Sequence, residues 1–263
     1  MLRENKLRKL LKEGKPTLGT RIWSSWPTVT EAAGATGLFD YIEFQVEYAP
    51  FNQYDLENIA RAAELHNMAT MIKVDLQNRG YVGQKALASG FQSIMFTDHH
   101  TAEEVKETLR LMRPDHPQFG GAFGNMNRRW IGFRDELSTQ EQYTEMVVNS
   151  VMAFMIEKKQ AVEQIDEICS IPGVDMIQFG PSDFSLSSGF NRSDDPKRVQ
   201  AAERKVIETA LKHGVRPRVE LNTYKDAEYY IKMGVRDFNI GSELRVMKYF
   251  WDEHGKALRD MVK

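Results

Sequence analysis

The sequence predicts one α/β domain over residues 1–263, a closed (β/α)8 TIM barrel. Three observations predict it. Eight short apolar runs recur along the chain, and amphipathic helical stretches lie between most of them. The length, 263 residues, is close to the roughly 250 residues typical of this fold. An open doubly wound sheet is the alternative, but eight strands in a chain of this size favour closure.

In order, the strand candidates are Leu18–Trp23, Tyr41–Val46, Thr70–Val74, Ser93–Thr97, Met152–Glu157, Met176–Gly180, Arg216–Leu221 and Asp237–Ile240. Most are apolar on successive residues, as in MAFMIE and MIQFG, the pattern of strands buried on both faces. Helical stretches fall at Tyr54–Asn67, Thr101–Met112, Lys159–Ser170, Pro196–His213 and Tyr224–Met233. Thr101 with Glu104 three residues on is a capping box. Five joints, HNMATMIK, LASGFQSIM, IPGVDMIQF, KHGVRPRVE and KMGVRDFNI, end a helix at or near Gly or Asn and start a strand soon after, as repeated helix-to-strand connections of a parallel sheet require. A first helix, Leu2–Leu11, is expected to plug one end of the barrel. The last segment, Glu243–Val262, is too apolar for a free tail and is expected to pack on a partner subunit. Arg113–Ser150 breaks the rhythm and reads as a long strand-to-helix excursion on the functional face. Its Arg128-Arg129-Trp130 cluster suits an anionic substrate or a neighbouring subunit.

Composition excludes several classes. Hydrophobic residues make up 41% and charged residues 27%, with a net charge of −2, a soluble globular balance with no global attraction to nucleic acid or an anionic membrane. No apolar run approaches the roughly 20 residues that span a bilayer. The charged N-terminus has no signal-peptide h-region. Cys169 is the single cysteine, read as a buried inert thiol, and a reducing cytoplasm is expected.

Catalytic groups of this fold sit at the C-terminal ends of the strands. Those ends offer Glu47 and Tyr48, Lys73 and Asp75, Asp98, His99 and His100, Glu157, Asp183, Asn222 and Ser242. Glu157 ends a strand with no other polar residue, and a carboxylate buried there must be paired or bound to a metal. Together with Asp183 on the next strand end it suits a hard divalent cation. A structural ion pair with Lys158, Lys159 or Arg21 is the plainer alternative. After the sixth strand, Gly180-Pro181-Ser182-Asp183 turns sharply, either as an amide nest for a carboxylate or as an ordinary Gly-Pro turn. His99 and His100 diverge as neighbours and are read as hydrogen-bonding rather than ligating.

These residues carry a resemblance. The chain resembles the HpcH/HpaI aldolase family of metal-dependent pyruvate aldolases through the EGKPTLGT stretch, Glu47-Tyr48-Ala49-Pro50, Ile156-Glu157 and, most specifically, PGVDMIQFGPSDFSLSSG from Pro172 to Gly189. The resemblance implies a phosphoenolpyruvate/pyruvate-type barrel. It implies Glu157 and Asp183 as ligands of Mg2+ or Mn2+, with Co2+ a further option. The backbone amides of Ser182 and Asp183, in the elbow opened by Gly180, would hold the substrate carboxylate. The implied reaction is carbon–carbon lysis or formation of a 4-hydroxy-2-oxo acid from pyruvate, a 2-oxo acid, and an aldehyde, by way of an enolate. Implied too are a homo-oligomer, a hexamer or trimer of dimers, and exchange of the C-terminal helix between subunits.

The chain departs from the family pattern where protons move. Gln45 and Tyr48 stand where the family carries an aspartate and a histidine, and Lys73 replaces an arginine, while Glu47 is kept. An Arg-Gly element is degraded around Phe119-Gly120-Gly121. The expected catalytic set is therefore Lys73 at the oxyanion, Tyr48 as proton donor, and Glu47 and Gln45 beside them. Tyrosine, with an ordinary pKa near 10, is a poor base. The alternatives are a related enolate condensation or phosphoenolpyruvate-type reaction, a catalytically impaired metal- and oxo-acid-binding protein, or a Schiff base on Lys73. The excursion from Arg113 is expected to select the aldehyde.

Overall fold

All eight apolar runs form parallel strands that close into one barrel, β1 through β8 in sequence order, in a computed structural model describing residues 3–126, 129 and 139–263. The strands are β1 Thr17–Ile22, β2 Tyr41–Phe44, β3 Ala69–Val74, β4 Ser93–Phe96, β5 Val151–Ile156, β6 Met176–Phe179, β7 Arg216–Leu221 and β8 Asp237–Ser242. Closure is made by β1 pairing with β8, Thr17 against Asp237. Around them run α1 Lys6–Lys12, α2 Pro27–Ala35, α3 Gln53–Leu65, α4 Arg79–Ser89, α5 Ala102–Met112, α6 Gln140–Val148, α7 Lys159–Glu163, α8 Ile165–Cys169, α9 Pro181–Ser187, α10 Pro196–Lys212, α11 Ala227–Met233, α12 Glu243–Phe250 and α13 Lys256–Met261. The sequence pattern missed α2 and α4, whose apolar period is weak, and joined α7 to α8 across Gln164.

Alternation of side chains across each strand makes two cores. Outward residues such as Ile42, Phe44, Ile72, Ile94, Phe96, Phe154 and Ile177 pack beneath the helices. Tyr41, Met71, Met95, Met155 and Met176 fill the lower barrel interior with Leu7 of α1. Thus α1 is the expected plug. It is capped by Asn5, whose side chain accepts from the Arg8 amide at 3.1 Å, and the Arg8 guanidinium donates to both Asp175 oxygens at 2.5 Å.

The excursion from Arg113 is not on the functional face. It follows α5 and leads through α6 into β5, so it is a helix-to-strand connection at the plugged end. The Arg113 guanidinium donates to the Pro172 carbonyl, and Arg129 pairs with Glu64 at the end of α3, beside Arg3 of the N-terminus. Arg128 and Trp130 lie outside the described residues. The sequence reading had already placed a helix at Thr101–Met112, and a segment that lies between that helix and β5 connects helix to strand, at the end of the barrel opposite the strand C-termini.

Beyond β8 the chain runs through α12, a π turn at Trp251–Gly255 and α13, and none of these elements buries a residue. Val246, Phe250, Trp251 and Leu258 are exposed. No helix among the described residues is long and apolar enough to cross a membrane.

Candidate active site

Glu157 follows the last residue of β5 and is buried. Its Oε1 accepts the Asp98 amide at 2.8 Å. Asp98 follows β4 with φ at +65°, a conformation aspartate tolerates better than most residues. The carboxylate of Asp98 pairs with Lys158 Nζ at 2.6 Å, and the same nitrogen lies 3.9 Å from Asp183 Oδ1. Burial pushes the Glu157 carboxyl up to about 7, and the charge of Asp183 adds to this against Lys73 and Lys158. Burial acts the same way on Asp98, but the Lys158 contact outweighs it and holds that carboxyl below its ordinary value. The ion pairs proposed for Glu157 are made elsewhere: Lys158 sits on Asp98, and Arg21 binds Glu220 at 2.8 Å.

On the opposite wall Lys73, at the end of β3, holds Glu47 at 2.5 Å. The Tyr48 ring lies over Lys73 with its centroid 5.7 Å from Nζ, and Trp23 stacks on Tyr48 at 6.1 Å and 18°. Burial and then the Glu47 contact raise the Tyr48 hydroxyl well above its ordinary value, so it stays protonated. Gln45 turns into the barrel instead. Its amide donates to Glu43, which pairs with the fully buried Arg218. His99 is committed to structure: Nδ1 donates to the Thr97 carbonyl at 2.8 Å and Nε2 is bonded to Thr108 Oγ1 at 2.6 Å.

The elbow after β6 joins the two walls. Pro181 opens α9 and the Phe184 amide closes back on the Gly180 carbonyl at 3.0 Å. As second and third residues of the helix, Ser182 and Asp183 carry amides that no intrahelical carbonyl reaches. A Cβ at residue 180 would stand 2.6 Å from Glu157 Cβ and 2.7 Å from its Oε2, so only glycine lets the elbow approach that carboxylate. A cavity of about 350 Å3 opens here, lined by Lys73, Gly180, Ser182 and Asp183 and extending to Arg21, Arg218 and Glu220. The structure therefore gathers Lys73, Gly180, Ser182 and Asp183 around one cavity, with Glu157 directly behind Gly180 and Glu47 behind Lys73. Tyr48 stands at the rim outside the cavity lining, and Gln45 faces the interior.

Sequence reasoning missed Trp23 and the interior ion pairs, and offered Lys158 only as a partner of Glu157. Glu43 within YIEF, and Arg218 and Glu220 at alternate positions of RPRVEL, were the available signal: charges on the inward face of barrel strands.

The donor set fits a divalent cation. Glu47 pairs with Lys73 and Asp98 with Lys158, whereas among the described residues Glu157 makes no ion pair and Asp183 comes no nearer a cation than 3.9 Å, to Lys158. No group of three or more His, Cys, Asp or Glu side chains forms a metal cage among the described residues. Glu157 and Asp183 would be two protein ligands, leaving the other positions to substrate and water, as Mg2+ sites commonly do.

The sequence model of the HpcH/HpaI aldolase/citrate lyase family matches residues 22–248. A hydroxypyruvate/pyruvate aldolase from Delftia acidovorans is 25% identical over 250 residues, 93% of this chain and 88% of that protein. A 4-hydroxy-2-oxo-heptane-1,7-dioate aldolase from Escherichia coli is 24% identical over 93% of this chain and 91% of that protein. Among solved structures, an HpcH/HpaI aldolase from Desulfitobacterium hafniense aligns with a TM-score of 0.85 at 22% identity, covering 97% of both chains. Citrate synthase SbnG aligns with a TM-score of 0.84 at 21% identity, over 99% of this chain and 100% of that one. Protein CitE from Mycobacterium tuberculosis, in complex with magnesium and acetate, aligns with a TM-score of 0.55 at 12% identity over 90% of this chain and 88% of that one. Barrel and relatives together define a carbon–carbon lyase of the aldolase class. The chain belongs to the HpcH/HpaI aldolase/citrate lyase family.

Proposed function

We propose that this lyase is metal-dependent and cleaves or forms a 4-hydroxy-2-oxo acid, with pyruvate as its 2-oxo acid and an aldehyde as the second substrate. The observation that carries the reading is the Glu157 carboxylate, buried behind Gly180 and without an ion pair among the described residues. Glu157 and Asp183 would hold Mg2+ or Mn2+, which when bound supplies Lewis acidity toward the carboxylate and 2-oxo oxygens of pyruvate. A protein of similar fold, CitE from Mycobacterium tuberculosis, is solved in complex with magnesium, which supports a divalent ion as the cofactor.

The remaining roles belong to the chain. The amides of Ser182 and Asp183 receive the pyruvate carboxylate. Lys73 brings positive charge to the 2-oxo oxygen as negative charge grows there. Glu47 fixes the position of that ammonium and leaves it engaged rather than free for a Schiff base. Tyr48, kept protonated, serves as proton donor at the rim, where general acid catalysis is worth about a hundredfold or more. Gln45 braces the β2 turn through Glu43 rather than orienting Tyr48. The exposed apolar surface of α12 and α13 supports a homo-oligomer in which this segment docks on another copy.

The test is exchange of the pyruvate methyl protons in D2O with Mn2+, followed by NMR. Wild-type protein should exchange them and Glu157→Gln should not. Equal rates in the two proteins would sink the metal-enolate reading.

A further inference from the structure

Lys158 holds a position that the proposed reaction does not use. It follows Glu157 at the top of β5, and its backbone is extended there, φ −110° and ψ 143°, just before the first turn of α7. From this place the side chain reaches the strand ends on either side. Nζ pairs with Asp98 after β4 at 2.6 Å and lies 3.9 Å from Asp183 Oδ1 after β6. The side chain is 14% exposed, so water and salt screen the ammonium only in part. Both proposed metal ligands touch this arrangement. Glu157 Oε1 accepts the Asp98 amide at 2.8 Å, and Asp183 is the second carboxylate that Lys158 approaches. Lys158 is thus a resident cation beside the place where a divalent cation would be held, and Asp98 draws it to one side. Two cations that share a carboxylate repel each other, more strongly the closer they lie and the less water separates them. A divalent ion on Asp183 therefore binds against the Lys158 charge. A 2-oxo acid brings a carboxylate to the same place and offsets that charge.

Resting on the proposed Glu157–Asp183 metal site, we propose that Lys158 is a built-in counter-ion of that site: it weakens binding of the bare divalent ion and makes ion and 2-oxo acid bind cooperatively. Without the 2-oxo acid, the ammonium supplies part of the positive charge on Asp183 and opposes the ion. With it, the added carboxylate offsets the surplus positive charge, and the ion is held. Asp98 sets the balance, because its carboxylate keeps the ammonium on the β4 side, 2.6 Å away. The coupling is reciprocal: the factor by which the 2-oxo acid tightens the ion is the factor by which the ion tightens the 2-oxo acid. Lys158 acts through the charge at the two ligands and takes no part in making or breaking the carbon–carbon bond. It is a positioning residue.

The experiment titrates Mn2+ into the full chain, followed by electron paramagnetic resonance, with and without pyruvate. In wild-type protein saturating pyruvate should lower the Mn2+ dissociation constant about tenfold. Lys158→Met and Lys158→Gln should each bind Mn2+ alone about tenfold more tightly than wild type, and pyruvate should then add about threefold or less. Lys158→Arg, which keeps the charge, should behave as wild type. Asp98→Asn, which frees the ammonium to settle on Asp183, should bind Mn2+ alone more weakly than wild type. A lysine that only braced the strand ends would lower affinity when removed, so the gain on removing Lys158 and the loss on removing the Asp98 charge carry the test. Affinity for Mn2+ alone that is unchanged or weaker in both Lys158→Met and Lys158→Gln overturns the proposal. Glu157→Gln separates this outcome from failure of the metal site. Wild-type binding that Glu157→Gln abolishes, with no gain in the Lys158 variants, would sink the counter-ion alone. Binding unmoved by Glu157→Gln would sink the metal site and the counter-ion with it.

Discussion

The Asp98 amide reaches Glu157 Oε1 at 2.8 Å from a left-handed backbone, φ +65°, so a strained residue after β4 aims the buried carboxylate after β5. A β-branched residue is poorly tolerated at that φ. Asp98→Val should destabilise the fold by about 1 to 3 kcal/mol in urea unfolding and weaken Mn2+ binding. Asp98→Asn, which accepts the same backbone, should cost less stability. Equal unfolding midpoints for the two variants would show that Asp98 is not held by strain.

Gly180→Ala should cost metal affinity more than stability. The added Cβ meets Glu157 at 2.6 Å, and the side chain that must shift is the proposed ligand. We expect at least a tenfold weaker Mn2+ dissociation constant by electron paramagnetic resonance, with the barrel still folded by circular dichroism. Unchanged affinity would remove the elbow from the metal site.

Arg218 and Glu43 form an ion pair with both side chains buried inside the barrel. Burial alone would raise the Glu43 carboxyl, but Arg218 overrides it and holds it below its ordinary value. Removing one partner strands a buried charge, so Arg218→Met should cost about 3 to 5 kcal/mol. Adding Glu43→Gln should recover much of that loss. A double-mutant cycle on chemical denaturation measures the coupling, and strict additivity would contradict the pair's importance.

His99 makes stability depend on pH in a defined direction. Burial, opposed only in part by the Thr97 carbonyl, lowers its pKa to about 4, against about 6.5 for a free imidazole. The folded protein therefore refuses a proton that the unfolded chain accepts between those values. Its contribution is full above about pH 6.5 and is lost as pH falls toward 4, by up to a few kcal/mol. His99→Gln should flatten the wild-type decline in unfolding free energy across that window. A parallel decline in both proteins would assign the effect to other groups.

The C-terminal segment offers a separate test. Trp251→Asp with Leu258→Asp places charges on surface that is 63% and 62% exposed in the single chain. If copies dock through this segment, sedimentation should show a smaller species than wild type at equal concentration. An unchanged sedimentation coefficient would move the interface elsewhere.

Much of the fold is legible in the amino-acid sequence. The strand runs were readable because parallel strands buried on both faces leave uninterrupted apolar stretches, so MAFMIE and MIQFG announced β5 and β6. The weak helices α2 and α4 were not, because the barrel packs them despite poor periodicity. Glu157 was conspicuous as the lone charge ending an apolar strand. Lys158, one residue on, is one of three cations the sequence offers as an alternative partner for it, but the chain turns there and the ammonium meets Asp98 and lies near Asp183 instead.

By itself, then, the sequence determined the eight strands, their order, the plug helix and the strand ends on which chemistry could sit. These follow from local periodicity and from the rule that a parallel barrel presents its strand ends on one face. Only the tertiary structure decided which charges meet across the barrel: Lys73 with Glu47, Arg218 with Glu43, Arg21 with Glu220. It also sent the excursion from Arg113 to the far end. Such pairings join residues distant in sequence, and closure of the barrel, which no local pattern encodes, sets their distances.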